Sequence, residues 1–175
     1  MQKIIILCFL SLFLGITGAQ AQNKRMMFGD TTGTGIPFSK DPVVVNFQGK
    51  YLMYFSIRKF PERGKPMSGW AIGIAESKNL IDWKKVGEIL PEAEYEKKGL
   101  CAPGALLRDG KVHLFYQTYG NGPKDAICHA VSEDGIHFTR NQSNPIFKPT
   151  GDWNNGRAID AEVYFYKNQY FLYFA

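Results

Sequence analysis

Two aspartates stand where apolar strands begin, and this placement suggests a shared chemical site. Asp41 opens the stretch DPVVVNF and Asp160 opens DAEVYFY, and the remainder of each stretch is typical of a buried β-strand. Because a carboxylate is costly to bury without a partner or water, we expect both side chains to face an opening. Two carboxylates at one wet opening can perform acid–base chemistry, in which one takes a proton from water and another tunes or supplies one.

A simpler interpretation competes with this one. Asp41-Pro42 is an ordinary turn starter, and an aspartate before a strand often caps a loop. Asp160 is not followed by proline, and it shares its register with Asp41, which favours the chemical interpretation. Side chains two residues apart in a strand point to the same face, so Glu162 shares a face with Asp160. Three roles fit Glu162: a solvated residue at the loop edge, a second ligand group, or a partner of Arg157.

The elements that would position these acids repeat along the chain. DPVVVNFQGKYLMYFS from Asp41, APGALLRDGKVHLFYQ from Ala102 and DAEVYFYKNQYFLYFA from Asp160 align without gaps, at an interval of about 60 residues. Each segment has two apolar runs around a turn at Gly49, Gly110 or Asn168, which predicts three hairpins in one register.

The first two repeats stay similar beyond their hairpins. IAESKNLIDW and HAVSEDGIHF each predict a third strand, a polar turn and a fourth edge strand. Four strands per repeat are typical of a propeller blade. The sequence therefore predicts an all-β propeller, with blade 1 at about 41–90, blade 2 at about 102–147 and the start of blade 3 at about 159–175. First strands line the central channel, so Asp41, Ala102 and Asp160 should meet around one mouth. Ending inside the third blade, the chain is expected to be an N-terminal fragment of a longer protein.

The N-terminal residues predict where the protein is located. Residues 1–21 combine Lys3, an apolar stretch and Ala19-Gln20-Ala21, which predicts a cleaved signal peptide, a secreted or periplasmic protein and no membrane association after cleavage. Residues 22–40 form a lead-in segment.

The net charge of +5 comes from scattered residues, which argues against a nucleic-acid partner. Cys101 and Cys128 fall two strands apart in one sheet, too far for a disulfide, so we expect free buried thiols. No metal-ligand cluster is present in the sequence, and nothing in it fixes the oligomeric state.

At these residues the chain resembles a known family. SKDPVVVNFQGKYLMYFS, APGALLRDGKVHLFYQTY, AESKNLIDW and AIDAEVYFYKNQYFLYFA are similar to the first three blades of glycoside hydrolase family 43 and its five-bladed propeller relatives, over about residues 36 to 175. The resemblance implies a five-bladed β-propeller of which the first two and a half blades are present, and an inverting hydrolase of arabinan, xylan or galactan. Asp41 would be the general base, Asp160 would tune the pKa of the acid and position it, and the general acid, a glutamate, would follow Ala175. It implies no catalytic cofactor and leaves room for a structural calcium ion in the channel of the full-length protein.

The departures from that family concern the sugar contacts. Many members carry a tryptophan where this chain has Cys101, so Cys101 takes a substrate-lining position. In the loop GDWNNGRAID, Trp153 either offers a flat face to a sugar ring or packs between blades. Asn154, Asn155 and Arg157 in the same loop offer hydrogen-bond donors to a sugar. The expected partner is an oligo- or polysaccharide.

Other functions fit the same architecture. A carbohydrate-binding propeller without catalysis would keep the aromatic residues, and a structural surface propeller would need neither acid. Related invertase-type hydrolases use an aspartate nucleophile in an asparagine-rich blade-one motif that SKDPVV lacks, and related glycoside phosphorylases need a phosphate site.

Overall fold

The computed structural model describes residues 28–33, 35–58, 69–152 and 155–175, and it consists of three antiparallel sheets. The first sheet has the order β1-β2-β3-β4, the second β5-β6-β7-β8, and the third pairs β10 with β9. The strands are β1 (Lys40–Phe47), β2 (Lys50–Arg58), β3 (Trp70–Ser77), β4 (Trp83–Ile89), β5 (Leu100–Arg108), β6 (Lys111–Thr118), β7 (Ile127–Ser132), β8 (Thr139–Arg140), β9 (Glu162–Tyr166) and β10 (Gln169–Tyr173). Two 3-10 turns occupy Glu94–Glu96 and Gly122–Lys124.

The three repeats fold as hairpins in the predicted register. Each hairpin turns through two residues with positive φ, the geometry that keeps the right-handed twist of the flanking strands. The pairs are Gln48 and Gly49 (51° and 77°), Asp109 and Gly110 (51° and 71°), and Lys167 and Asn168 (48° and 62°). The turns predicted at Gly49, Gly110 and Asn168 are therefore confirmed.

The first two sheets pack face to face around one apolar core. Leu52, Ile72 and Ile74 of the first sheet and Leu100 and Leu114 of the second are all fully buried in this core. Full burial of one such side chain contributes roughly 1.5–3 kcal/mol. This shared core fixes the two blades relative to each other.

The first strands of successive sheets are neighbours. Strand β1 contacts β5, and β5 in turn contacts β9, whereas β4 and β8 lie at the outer edges. Gly104 permits a close approach, because a Cβ at this residue would lie 2.2 Å from the carbonyl oxygen of Ala161. The three hairpins thus stand side by side as blades around an axis, as the all-β propeller prediction required.

Both cysteines of this region are free and buried, as expected. Cys101 lies in β5 and Cys128 in β7, with β6 between them. The predicted signal peptide, residues 1–21, and the tryptophan Trp153 lie outside the described residues. Among the residues that are described, no helix is long and apolar enough to cross a membrane.

Candidate active site

Three equivalent residues at the starts of the inner strands share an unusual backbone conformation. Asp41, Ala102 and Asp160 have φ values of 50°, 48° and 53°, in the left-handed region that few residues other than glycine adopt. The first two lie where the pairing of β1 with β2 and of β5 with β6 is interrupted. Such a conformation costs on the order of 1 kcal/mol and persists only where the surroundings impose it. The recurrence of this strain supports the equivalence that the sequence repeat predicted.

Polar side chains at the ends of the second strands hold these left-handed residues. The buried Ser56 hydroxyl accepts a hydrogen bond from the backbone N–H of Ala102 at 2.8 Å and donates one to Asp41 Oδ2 at 3.1 Å. In the next blade, Gln117 Oε1 accepts a hydrogen bond from the backbone N–H of Asp160 at 2.9 Å. Each complete blade therefore fixes the first inner-strand residue of the blade that follows.

Lys40 connects the two acids electrostatically. Its ammonium nitrogen lies 3.1 Å from both carboxylate oxygens of Asp41, whose side chain is 29% exposed. The hydrogen bond to Asp41 raises the pKa of Lys40, and the charges of Asp41 and Asp160 raise it further against the effect of burial. The charges of both aspartates therefore act on one lysine, and the predicted common opening stays a prediction.

Cys101 lies between these charged groups as a neutral thiol. Burial raises its pKa to about 12, and the negative charges of Asp41 and Asp160 contribute to the increase. Only 6% of the residue is exposed. A protonated, buried thiol is a poor nucleophile, and the predicted contact of Cys101 with a sugar stays a prediction.

The loop before Asp160 is tied to the second blade. Arg157 Nε lies 3.4 Å from Oδ2 of the buried Asp125, whose other oxygen accepts hydrogen bonds from Asn121 N and Thr118 Oγ1. The suggestion that Glu162 pairs with Arg157 is therefore wrong.

Burial raises the pKa of Glu162, whose carboxylate is 3.4 Å from the place that a Cβ on Gly104 would take. Asn155 is exposed, and its predicted role in sugar binding, like that of Arg157, stays a prediction.

Sequence reasoning missed Lys40, Ser56 and Gln117. The signal was present, because YLMYFS and VHLFYQ both end an apolar strand with a buried polar residue in the same register. A buried polar side chain needs a hydrogen-bond partner, so its recurrence predicts a contact. Among the described residues, no group of three or more His, Cys, Asp or Glu side chains could hold a metal ion.

Comparison with known proteins assigns the chain to a family. The model described as the glycosyl hydrolases family 32 N-terminal domain matches residues 38–175. The chain belongs to this family. Its match begins just before β1 and includes all ten strands.

Solved structures of other propeller glycosidases have the same fold. A family 32 β-fructofuranosidase from Bombyx mori is 21% identical with a TM-score of 0.66, and the match covers 84% of this chain and 31% of that one. A family 117 glycoside hydrolase from Zobellia galactanivorans is 21% identical with a TM-score of 0.64, covering 78% and 47%. An endo-1,4-β-xylanase from Bacteroides thetaiotaomicron is 19% identical with a TM-score of 0.61, covering 78% and 48%. The chain thus spans between about a third and a half of these proteins' lengths.

These findings confirm the predicted fold, a five-bladed β-propeller of which this chain holds the first two and a half blades. They also confirm the resemblance at the level of the propeller glycosidases, which include families 32, 43 and 117. The finer assignment differs, because the matching family model is that of family 32, whereas the motifs resembled family 43.

Proposed function

We propose that the protein is a glycoside hydrolase in which Asp41 and Asp160 belong to the acid–base apparatus. One observation carries the proposal: Asp41 and Asp160, at the heads of two inner strands on either side of β5, share a strained left-handed conformation, and the charges of both raise the pKa of Lys40. Backbone strain that recurs at an opening and is held by buried side chains is typical of functional sites. A rigid sheet scaffold suits glycoside hydrolysis, in which the base or nucleophile must be held at a set separation from the acid.

In this proposal Asp41 is the general base. It takes a proton from water as the oxygen of that water attacks the anomeric carbon. The glycosidic C–O bond breaks, and the leaving oxygen receives a proton from a glutamate that we place after Ala175. Ser56 and Lys40 orient the Asp41 carboxylate through hydrogen bonds of 3.1 Å. The product would have the inverted anomeric configuration.

Membership of family 32 favours a second assignment for the same residue. Asp41 would then be the nucleophile of an invertase-type reaction. One of its oxygens would form an ester with the anomeric carbon as the leaving oxygen is protonated, and water would later break that ester with net retention. The two mechanisms place Asp41 at the same opening and differ in the anomer that is released.

Asp160 is proposed to position the acid and to tune its pKa. The hydrogen bond from its backbone N–H to Gln117 and the influence of its charge on the pKa of Lys40 support this role. A nearby negative charge raises the pKa of a carboxylic acid, which keeps that acid protonated near neutral pH. We propose plant or algal polysaccharides, including arabinan, xylan and galactan, as substrates, and secretion or export to the periplasm as the location.

The test compares full-length wild type with Asp41→Asn and Asp160→Asn on arabino-, xylo- and galacto-oligosaccharides and on sucrose. Asp109→Asn, at the far turn of the second blade, is the matched control. We expect both site variants to fold and to lose at least about 100-fold in kcat, whereas the control keeps its activity. NMR of the first-formed anomer separates the base from the nucleophile. Sugar binding without cleavage by the wild type would instead indicate a binding propeller, and cleavage only with phosphate would indicate a phosphorylase.

A further inference from the structure

A cationic and aromatic cleft lies between the first two blades at the same edge as Asp41. Its volume is about 410 Å³, within the range of small-ligand sites, and its main lining side chains are Arg58, Trp70, Lys97, Lys98 and Tyr119. Arg58 ends β2 and Trp70 begins β3, so both lie at the edge where β1 begins with Lys40. Backbone pairing of Trp70 with Gly99, and of Tyr119 with Gly99, closes the floor of the cleft.

The aromatic side chains fix the cations in place. The Trp70 and Tyr119 rings are 5.7 Å apart, and the Arg58 guanidinium lies 5.0 Å from the centre of the Trp70 ring. Lys40 lies 5.9 Å from the same ring while its ammonium contacts Asp41. A cation held by an aromatic ring is oriented without losing its charge. Lys40 thereby joins the cleft directly to the candidate active site.

The positive charge of the cleft is only partly compensated. Lys97 pairs with Glu94, whereas the Lys98 ammonium donates to the neutral carbonyl oxygen of Gly120 at 3.1 Å. In the part of the chain that the structure describes, neither Arg58 nor Lys98 forms an ion pair with a carboxylate. Both side chains are exposed. Among the described residues, Arg58 and Lys98 thus give the cleft two cationic groups that have no carboxylate partner.

We propose that this cleft binds a negatively charged sugar unit, a uronate or a sulfate ester, next to the glycosidic bond at Asp41. The inference rests on the proposed function, because it assigns the substrate class to that site. The guanidinium of Arg58 can donate two parallel hydrogen bonds to a carboxylate or sulfate, and Lys98 supplies a second charge. The exposed Tyr119 ring offers a flat apolar face for the C–H face of the sugar ring.

The probes are neutral galactotriose, a sulfated galactotriose and trigalacturonate, which differ in charge while keeping the galacto configuration. Binding is measured by calorimetry on the full-length protein, with Asp41→Asn as background so that nothing is cleaved. Because this substitution also removes the carboxylate that pairs with Lys40, a preference for anionic probes counts for the cleft only if Arg58→Gln and Lys98→Gln reduce it in the same background. We expect at least one anionic probe to bind about tenfold more tightly than the neutral one, and its affinity to fall with added salt. The anionic probe that binds identifies a uronate or a sulfate as the ligand.

Arg58→Gln and Lys98→Gln should each weaken anionic binding about three- to tenfold and leave neutral binding unchanged. Lys84→Gln, an exposed lysine on β4, is the charge-matched control and should change neither. Tyr119→Ala should weaken neutral and anionic probes alike, because stacking does not depend on ligand charge. Circular dichroism establishes that each variant is folded.

The outcomes separate the two proposals. Equal affinity for neutral and anionic probes, or no effect of Arg58→Gln and Lys98→Gln, would overturn the anionic cleft even if the wild type cleaves neutral glycosides. Loss of anionic binding in those variants would support the cleft even if the wild type cleaves no glycoside, a result that would reject only the catalytic proposal.

Discussion

The Ser56 hydroxyl bridges two blades, lying 2.8 Å from the backbone nitrogen of Ala102 and 3.1 Å from Asp41 Oδ2. Ser56 is fully buried and Ala102 is only 5% exposed, so water does not replace the hydrogen bond to the Ala102 N–H when the hydroxyl is removed, whereas the partly exposed Asp41 carboxylate can be hydrated. The same atom therefore orients a candidate catalytic carboxylate and fixes the strained residue of the next blade. Packing and site geometry are linked through this one side chain.

Ser56→Ala should lower both stability and activity. It leaves the Ala102 N–H buried without a partner, which costs about 1–3 kcal/mol, and it leaves Asp41 Oδ2 with Lys40 but without the hydroxyl that orients it. We expect a lower thermal midpoint and a decrease in kcat with little change in KM. Ser143→Ala, at an exposed serine, is the control and should stay within about 0.5 kcal/mol. An unchanged kcat in Ser56→Ala would show that this hydrogen bond does not orient Asp41.

Gly104→Ala should push the inner strands of the second and third blades apart and weaken the packing between them. The added Cβ would lie 2.2 Å from the backbone carbonyl of Ala161, which cannot rotate away as a side chain can. Overpacking of this kind costs typically 1–3 kcal/mol, and the shift should move the neighbouring Asp160. We expect a lower urea midpoint together with reduced activity.

The control for this variant is Gly87→Ala, whose new Cβ would meet side-chain atoms of Ile136 and Ile74 at 3.3 Å and 3.5 Å. Those side chains can adjust, so a smaller loss of stability and full activity are expected. Equal effects of the two substitutions would argue against a special role for the β5–β9 contact.

The hairpins were predictable from sequence because turn residues and apolar runs recur at one register. The structural equivalence of Asp41 and Asp160 followed from the same alignment, and both residues have the same left-handed backbone at the head of an inner strand. The left-handed φ of these residues was not predictable, because aspartate and alanine do not demand it as glycine would. The partner of Arg157 was also missed, since Asp125 lies in a loop whose path depends on tertiary contacts.

Cys101 and Cys128 should be inert toward thiol reagents in the folded protein. Burial raises the pKa of each thiol to about 12, and both are enclosed in the structure. Because the thiolate is the reactive form, mass spectrometry should find iodoacetamide adducts on both residues in urea and on neither under native conditions at pH 8. A reducing agent should leave the thermal midpoint unchanged. Native labelling of Cys101 would instead indicate that the site opens in solution.

The buried pair of Glu96 and Arg140 should make stability depend on pH. Glu96 is fully buried and accepts hydrogen bonds from Arg140 Nε at 2.9 Å, from the Tyr116 hydroxyl at 2.6 Å and from the backbone N–H of Glu92 at 2.9 Å. Burial alone would raise the pKa of Glu96, but the bonds from Arg140, Tyr116 and Glu92 outweigh it and lower the pKa below its ordinary value of 4.5. The folded protein therefore binds this proton less readily than the unfolded chain does.

A lowered carboxylate pKa stabilises the fold above the pKa of the unfolded chain, and the contribution is lost as pH falls through the folded value. Glu96→Gln leaves the charge of Arg140 buried without its counterion, so we expect a loss of about 3–5 kcal/mol at pH 7. The difference between wild type and variant in urea unfolding should narrow progressively below about pH 4.5. Glu133→Gln removes an exposed carboxylate that pairs with Lys111 on the second blade and serves as the control; because solvent screens this pair, its effect on stability should be small at every pH. A constant wild-type advantage from pH 7 to pH 3 would contradict the lowered pKa of Glu96.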